Sequence, residues 1–248
     1  MYDIFAQLCL YWRFYRNLWT MCVMNSAHLR NVHNRRESCD LTRLYCRCRQ
    51  QVTPSFNGGE PITREYYDDW MSGNSNTAIV EKLFPEMPTD DQTALWKSKE
   101  EVYRLISTKM TPLPGLLAFL DRCRSRGLAM ILVTNAPRLD AVHTLEVLNL
   151  SDRFSETMVI GYECARSKPH PDPYLEGLSR IGLSADACVA FEDSVNGVSS
   201  AVSAGLYTFG VGEGSQQRLE GAIGGGICVS DYLDSRLPEA LGLGADTS

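Results

Sequence analysis

Apolar positions follow two rhythms along this chain, and the change of rhythm divides it. From Leu113 onward, short unbroken apolar runs take turns with segments of helical period. Pro114 to Arg126 predicts a helix, with proline in its first turn, Leu116, Leu117, Phe119 and Leu120 as its apolar face, and Gly127 as its stop. Ala129 to Val133 is apolar throughout, as expected of a strand buried on both faces. Pro137 to Leu148 returns to helical period, and Met158 to Gly161 predicts a strand. Pro171 to Ile181 reads as a helix stopped by Gly182, and Ala187 to Phe191 as a second buried strand before a small-residue helix ending near Ala204. Tyr207 to Val211 and Ile227 to Val229 complete the series. Strand–helix–strand repetition with short links implies right-handed crossovers and a parallel sheet. The fold class is α/β.

Residues 60–110 differ. Ile62 to Met71, Asn74 to Phe84 and Asp91 to Met110 are helical in pattern with no strand between them, which predicts a compact helical bundle. It joins the α/β part through Thr111-Pro112-Leu113-Pro114-Gly115. Residues 1–54 show neither rhythm cleanly.

In an open parallel sheet, ligands bind beyond the carboxyl ends of the strands. Thr134-Asn135-Ala136 follows the first buried strand, Ser167-Lys168-Pro169-His170 follows the Met158 strand, and Glu192-Asp193-Ser194 follows the second buried strand. A hydroxyl, a lysine and two carboxylates at one sheet edge can hold a phosphate, balance its charge and bind a divalent metal. Each also has a structural reading. Thr134 or Asn135 can cap the helix at Pro137, Lys168 can be a solvated loop residue, and Asp193 or Ser194 can be an N-cap. Glu192 is harder to explain that way, because adjacent acids at a strand end repel unless a cation or hydrogen bonds satisfy them. Gly210, Gly212 and Gly214 lack the spacing of a dinucleotide fingerprint.

Charge adds an asymmetry. The 248 residues carry a formal net charge of −6, which speaks against a nucleic-acid partner. Residues 1–54 hold eight Arg, no Lys and three acids, a balance of +5, so the remainder carries −11. The nine cysteines have no repeated spacing, which favours free thiols in a reducing, cytoplasmic setting, and the Arg-rich start leaves organelle targeting open. No uncharged apolar run approaches the roughly 18 residues of a membrane span.

Taken in order, Ile131-Leu-Val-Thr-Asn-Ala136, Ser167-Lys-Pro-His-Pro-Asp-Pro-Tyr174 and Phe191-Glu-Asp-Ser-Val-Asn-Gly197 resemble the second, third and fourth motifs of the haloacid dehalogenase-like superfamily, over about residues 55–235. The resemblance implies a Rossmann-like parallel sheet (residues 111–248) with a small helical cap (residues 55–110). It implies a monomeric, Mg²⁺-dependent phosphatase of a small phosphorylated metabolite of the sugar, glycerol or glycolate phosphate type. By the same resemblance Thr134, Asn135 and Lys168 are the catalytic and substrate-binding residues, and Glu192 and Asp193 hold the metal directly or through water.

The family's first motif is a buried strand ending in Asp-x-Asp-Gly-Thr, whose first Asp is nucleophile and metal ligand and whose second is the general acid/base. Relatives place it some way before the segment matching Phe56-Asn-Gly-Gly59. Here that window, Ala27 to Arg36, holds no acid and no apolar strand; Asp40 comes too late and Asp3 too early. The expectation is that the first core strand, central in the sheet, is absent. Residues 1–54 are then an atypical, poorly ordered segment, not the native start of a working enzyme, as an altered or alternatively spliced gene product would give. The chain as written is expected to lack turnover, and a catalytically silent phosphate- or metal-binding regulatory module is the competing reading.

Overall fold

The computed structural model describes residues 70–71, 73–154, 156–212 and 215–241, together with the backbone of residues 6–8, 20–25 and 29–30. In chain order the elements are β1 (Ala6–Leu8), β2 (Thr20–Asn25), β3 (Leu29–Arg30), α1 (Asn76–Leu83), α2 (Thr89–Ile106), β4 (Thr111–Pro112), α3 (Leu116–Ser125), β5 (Leu128–Thr134), α4 (Arg138–Val147), α5 (Ser151–Phe154), β6 (Met158–Ile160), α6 (Asp172–Ile181), β7 (Val189–Glu192), α7 (Val195–Ser203), β8 (Tyr207–Val211), α8 (Ser215–Leu219), β9 (Ile227–Val229) and α9 (Arg236–Ala240).

The main sheet runs β6-β5-β2-β7-β8-β9, parallel throughout, with β1 antiparallel against the end of β2. This corrects one expectation. The central slot between β5 and β7 is filled by Thr20–Asn25, upstream of the window where the first strand was sought. Its register pairs Met21 with Ala129 and Met24 with Leu132 on one side, and Val23 with Ala190 on the other. The physical reason is that an empty slot would leave two inner rows of backbone N–H and C=O groups unpaired, at about 1–3 kcal/mol per group. A six-residue segment rich in Met, Cys and Val is apolar enough to serve. A small antiparallel pair, β3 with β4, follows it (Leu29 with Pro112, Arg30 with Thr111).

Alternation along the parallel strands divides the core between the two faces of the sheet. Leu132 and Phe191 enter one cluster with Phe119, Leu145, Phe154, Phe209 and Tyr232. Ile131, Val133 and Ala190 enter the other with Tyr174, Leu178 and Ala201. Phe191 stacks on Phe209 at 4.8 Å between ring centroids and meets Phe119 edge-on at 5.5 Å. Small residues on α7 let that helix lie close to the sheet; Val198 and Ala201 are fully buried. The helix α6 stops where expected: Gly182 takes φ +69°, and the following N–H of Leu183 returns to Leu178 O.

The helical block has its own small core of Met71, Ile79, Val80, Leu83 and Phe84, backed by Trp96. The helices expected over Asn74 to Phe84 and Asp91 to Met110 are found as α1 and α2. Of the helix expected over Ile62 to Met71, only Trp70 and Met71 lie among the described residues. Cys123, Cys164, Cys188 and Cys228 are free thiols. No helix among the described residues is long and apolar enough to cross a membrane.

Candidate active site

The carboxyl ends of β5 and β7 bring the chemistry-bearing residues to one edge, and side-chain bonds knit them together. Lys168 comes from the loop after β6, yet it is only 3% exposed, so the solvated-loop reading fails. Its Nζ donates to Val133 O and to Glu192 Oε1, both at 3.0 Å, and lies 5.1 Å from the centroid of the Tyr174 ring. Glu192 is fully buried at the end of β7, and its Oε1 also accepts from Tyr174 OH at 3.0 Å. A cation and a phenol donor together are what a buried carboxylate requires. Gly197 completes the fit, because a Cβ at that position would collide with the Glu192 carboxylate.

Asn135 does something the sequence does not announce. Its Nδ2 donates to Gly73 O at 3.0 Å and to Lys168 O at 3.1 Å, while its Oδ1 accepts from the Lys168 backbone N–H at 3.1 Å. Both amide hydrogens are thereby spent on backbone carbonyls. The side chain joins three segments: the β5 end, the Lys168 loop and the Gly73 turn of the helical block. It is not the cap of α4, whose N-cap is Pro137. Thr134 Oγ1 accepts from Ala136 N at 3.0 Å, and among the described residues its O–H hydrogen meets no acceptor. Ser194 is the cap of α7, accepting from Gly197 N at 3.1 Å, and it turns the positive end of that helix toward the same edge. Asp193, 4% exposed, stands beside it.

The pattern in sequence brought Thr134, Asn135, Lys168, Glu192 and Asp193 forward, and the structure gathers all five. Three participants went unnoticed. Tyr174 sits in the first turn of α6, and nothing in its period says that its hydroxyl reaches Glu192. Arg218, from α8, donates to Asp193 O at 3.2 Å, linking a second cation to this edge. Gly73, at φ +77°, packs against Ser194 so closely that a Cβ would lie 2.6 Å from its Oγ. The Gly73 turn is one point where helical block and core touch.

Position 25 is the remaining corner. With Met24 opposite Leu132 and Val23 opposite Ala190, Asn25 stands level with Val133 on one side and Glu192 on the other. The end of β2 is thus flanked by both chemistry-bearing strands.

A parallel sheet with these strand-end residues and a helical block over them is the architecture of a phosphoryl-handling α/β hydrolase. A family model described as haloacid dehalogenase-like hydrolase matches residues 15–205, and the chain belongs to that family. The match includes β2. Protein CbbY of Rhodobacter capsulatus is 37% identical over 124 residues, 48% of this chain and 55% of that protein. The chain thus spans about half the length of that relative. The phosphorylated carbohydrates phosphatase of Thermotoga maritima is 29% identical over 169 residues, 67% of this chain and 76% of that one. Among solved structures, CbbY from Rhodobacter sphaeroides in complex with phosphate superposes with a TM-score of 0.66 at 16% identity, covering 80% of this chain and 90% of that one. This last likeness is one of fold.

Members of this family generally use Mg²⁺. The donor chemistry here is compatible with it: Asp193 offers a hard carboxylate oxygen, and Mg²⁺ is held by one or two carboxylates together with waters and phosphate oxygens. Glu192 is less available, since its Oε1 is occupied by Lys168 and Tyr174. Among the described residues no group of three or more His, Cys, Asp or Glu is arranged to hold a metal. A cation at Asp193 would therefore depend on a bound phosphate for its remaining oxygens.

Proposed function

We propose that this chain binds the phosphate group of a small phosphorylated metabolite at the β5/β7 edge and, with this sequence, does not hydrolyse it. One observation carries the reading. The central strand β2 ends at Asn25, Ser26 and Ala27 follow in sequence, and no Asp or Glu occurs from residue 4 to residue 36. The family's nucleophile and its general acid/base are the two acids of a strand-end Asp-x-Asp. Counted from the end of the strand, the corresponding positions are Asn25 and, two residues on in sequence, Ala27. An amide is no useful nucleophile toward phosphorus, and a methyl group cannot move a proton.

The rest of the cradle is furnished. Thr134 donates its hydroxyl hydrogen to a phosphate oxygen, and Lys168 supplies positive charge from a position fixed by Glu192 and Tyr174. The N-terminus of α7 adds its partial charge. Asp193 would hold Mg²⁺ against the phosphate, with Glu192 behind it; the ion would neutralise phosphate charge. Asn135 positions the Lys168 loop and the helical block. The match to a phosphatase of phosphorylated carbohydrates supports a sugar-phosphate-like ligand.

A second reading, favoured by that same match, is a working Mg²⁺-dependent phosphatase in any form of the protein that carries the two acids at the end of β2. Calorimetry with inorganic phosphate in the presence of Mg²⁺, alongside turnover of p-nitrophenyl phosphate, tests the first. The expected result is one binding site, weakened about tenfold in Thr134→Val by loss of a hydrogen bond worth roughly 1–1.5 kcal/mol, with turnover at background. Robust turnover abolished by Asp193→Ala would overturn it.

A further inference from the structure

The loop that carries Lys168 is short of backbone donors. Pro169 and Pro171 stand on either side of His170, and neither has an N–H to give. Its carbonyls must therefore find partners in other ways. Ser167 O accepts from His170 N at 3.0 Å, and Pro171 O accepts from Tyr174 N and Leu175 N, also at 3.0 Å. Lys168 O is taken by Asn135 Nδ2, from the end of β5. His170 O is met from another direction, by Ser200 Oγ on α7, which donates to it at 2.5 Å.

Serine is not the residue that such a place favours. Position 200 lies near the middle of α7 and is fully buried, together with Gly197, Val198 and Ala201. Alanine is the better helix former and would bury no polar group there. A serine inside a helix commonly turns its hydroxyl back to the carbonyl four residues earlier. Here the hydroxyl leaves its own helix and crosses to a loop 30 residues upstream. Arg166 and Asp172 also bracket that loop, at 3.2 and 3.0 Å, but as an exposed ion pair of the kind that contributes little. The buried restraints are Asn135 and Ser200. Lys168 is thus held at its Nζ by Val133 O and Glu192, at its own backbone by Asn135, and two residues further on by Ser200.

We propose that Ser200 is a positioning residue of the phosphate site, a role that rests on the phosphate-binding reading above. Through His170 O it fixes the loop from which Lys168 enters the cradle, and it ties that loop to α7. The same helix follows Glu192 and Asp193 and presents its N-terminus to the phosphate. The cation and the carboxylate corner are thereby joined behind the cradle as well as inside it. Ser200 acts through Lys168 and not on the ligand itself. Without the hydroxyl, His170 O turns toward water to regain a donor, and the Lys168 backbone shifts with it.

Calorimetry with inorganic phosphate and Mg²⁺ on the full chain, paired with amide exchange in the absence of phosphate, tests this. Ser200→Ala removes the hydroxyl while improving the helix, so its Tm should change little. Its phosphate affinity is expected to fall about fivefold, the worth of one hydrogen bond. The Lys168 and His170 amides of that variant should lose about fivefold or more in protection, with the β8 amides unchanged. Ser200→Gly removes the same hydroxyl and also weakens the helix. Its Tm should be lower, yet its affinity should match that of Ser200→Ala within about twofold. Wild-type affinity in Ser200→Ala would overturn the proposal, as would unchanged protection at Lys168 and His170. An affinity loss that follows Tm across the two variants would reduce Ser200 to a structural residue and overturn it too. A wild type that binds no phosphate would sink the phosphate reading and this role together, whereas the other outcomes sink the role of Ser200 alone.

Discussion

The strand ends β7 and β2 stand side by side in one sheet and are furnished in opposite ways. At β7 a buried carboxylate is met by a lysine, a phenol and a glycine shaped to receive it. At β2 the backbone is in register, and the sequence that follows offers an amide, a hydroxyl and a methyl in place of two acids. On the function proposed above, the scaffold of the family and its chemistry separate here. A strand is kept in place by its backbone pairing, and Thr20 to Asn25 pairs with β5 and β7 without any acid. Charge balance at the β7 end rests on Lys168, so that corner stays coherent with or without a nucleophile next to it.

Perturbing the furnished side should have the largest effects on folding. Lys168→Ala leaves Glu192 buried beside Asp193 without its cation, and removal of one partner of a buried pair costs about 3–5 kcal/mol. Thermal or urea unfolding should show this as a marked loss of stability; a change under 1 kcal/mol would mean that the pair is not closed in solution. Gly197→Ala drives a methyl into the Glu192 carboxylate on the first turn of α7. A loss of about 1–3 kcal/mol is expected on the same assay, from overpacking. Tyr174→Phe keeps the ring and removes one donor to a charged group, for about 1.5–3 kcal/mol at most. Its more telling readout is phosphate affinity: with one donor gone, Glu192 draws harder on Lys168, and binding should weaken by a few-fold. Unchanged affinity would remove Tyr174 from the account of how Lys168 is held.

Much of this was legible beforehand, for identifiable reasons. Ala129 to Val133 and Ala187 to Phe191 announce themselves because a strand covered on both faces must be apolar at every position. Thr134, Lys168 and the Glu192/Asp193 pair stand out because polar residues directly after such runs fall at the edge where ligands bind. β2 was missed because its acids were the landmark. Without them, Thr-Met-Cys-Val-Met-Asn sits in a longer apolar stretch broken by Arg13 and Arg16, with no glycine or proline to mark its limits. Asn135 and Tyr174 were misjudged or overlooked for another reason. Which carbonyl an amide reaches, or which carboxylate a phenol meets, depends on packing between distant segments, and sequence period carries no record of it.

The central claim is that the cradle lacks only the two acids at the end of β2. Turnover of p-nitrophenyl phosphate by the double variant Asn25→Asp/Ala27→Asp, with Mg²⁺ and beside the wild type, tests it most directly. A restored general acid/base alone is worth about 10²–10⁴-fold, so the account predicts hydrolysis at least about a hundredfold above the wild-type background, lost again when Asp193 is changed to Ala. A folded double variant that binds phosphate yet stays at background would contradict it.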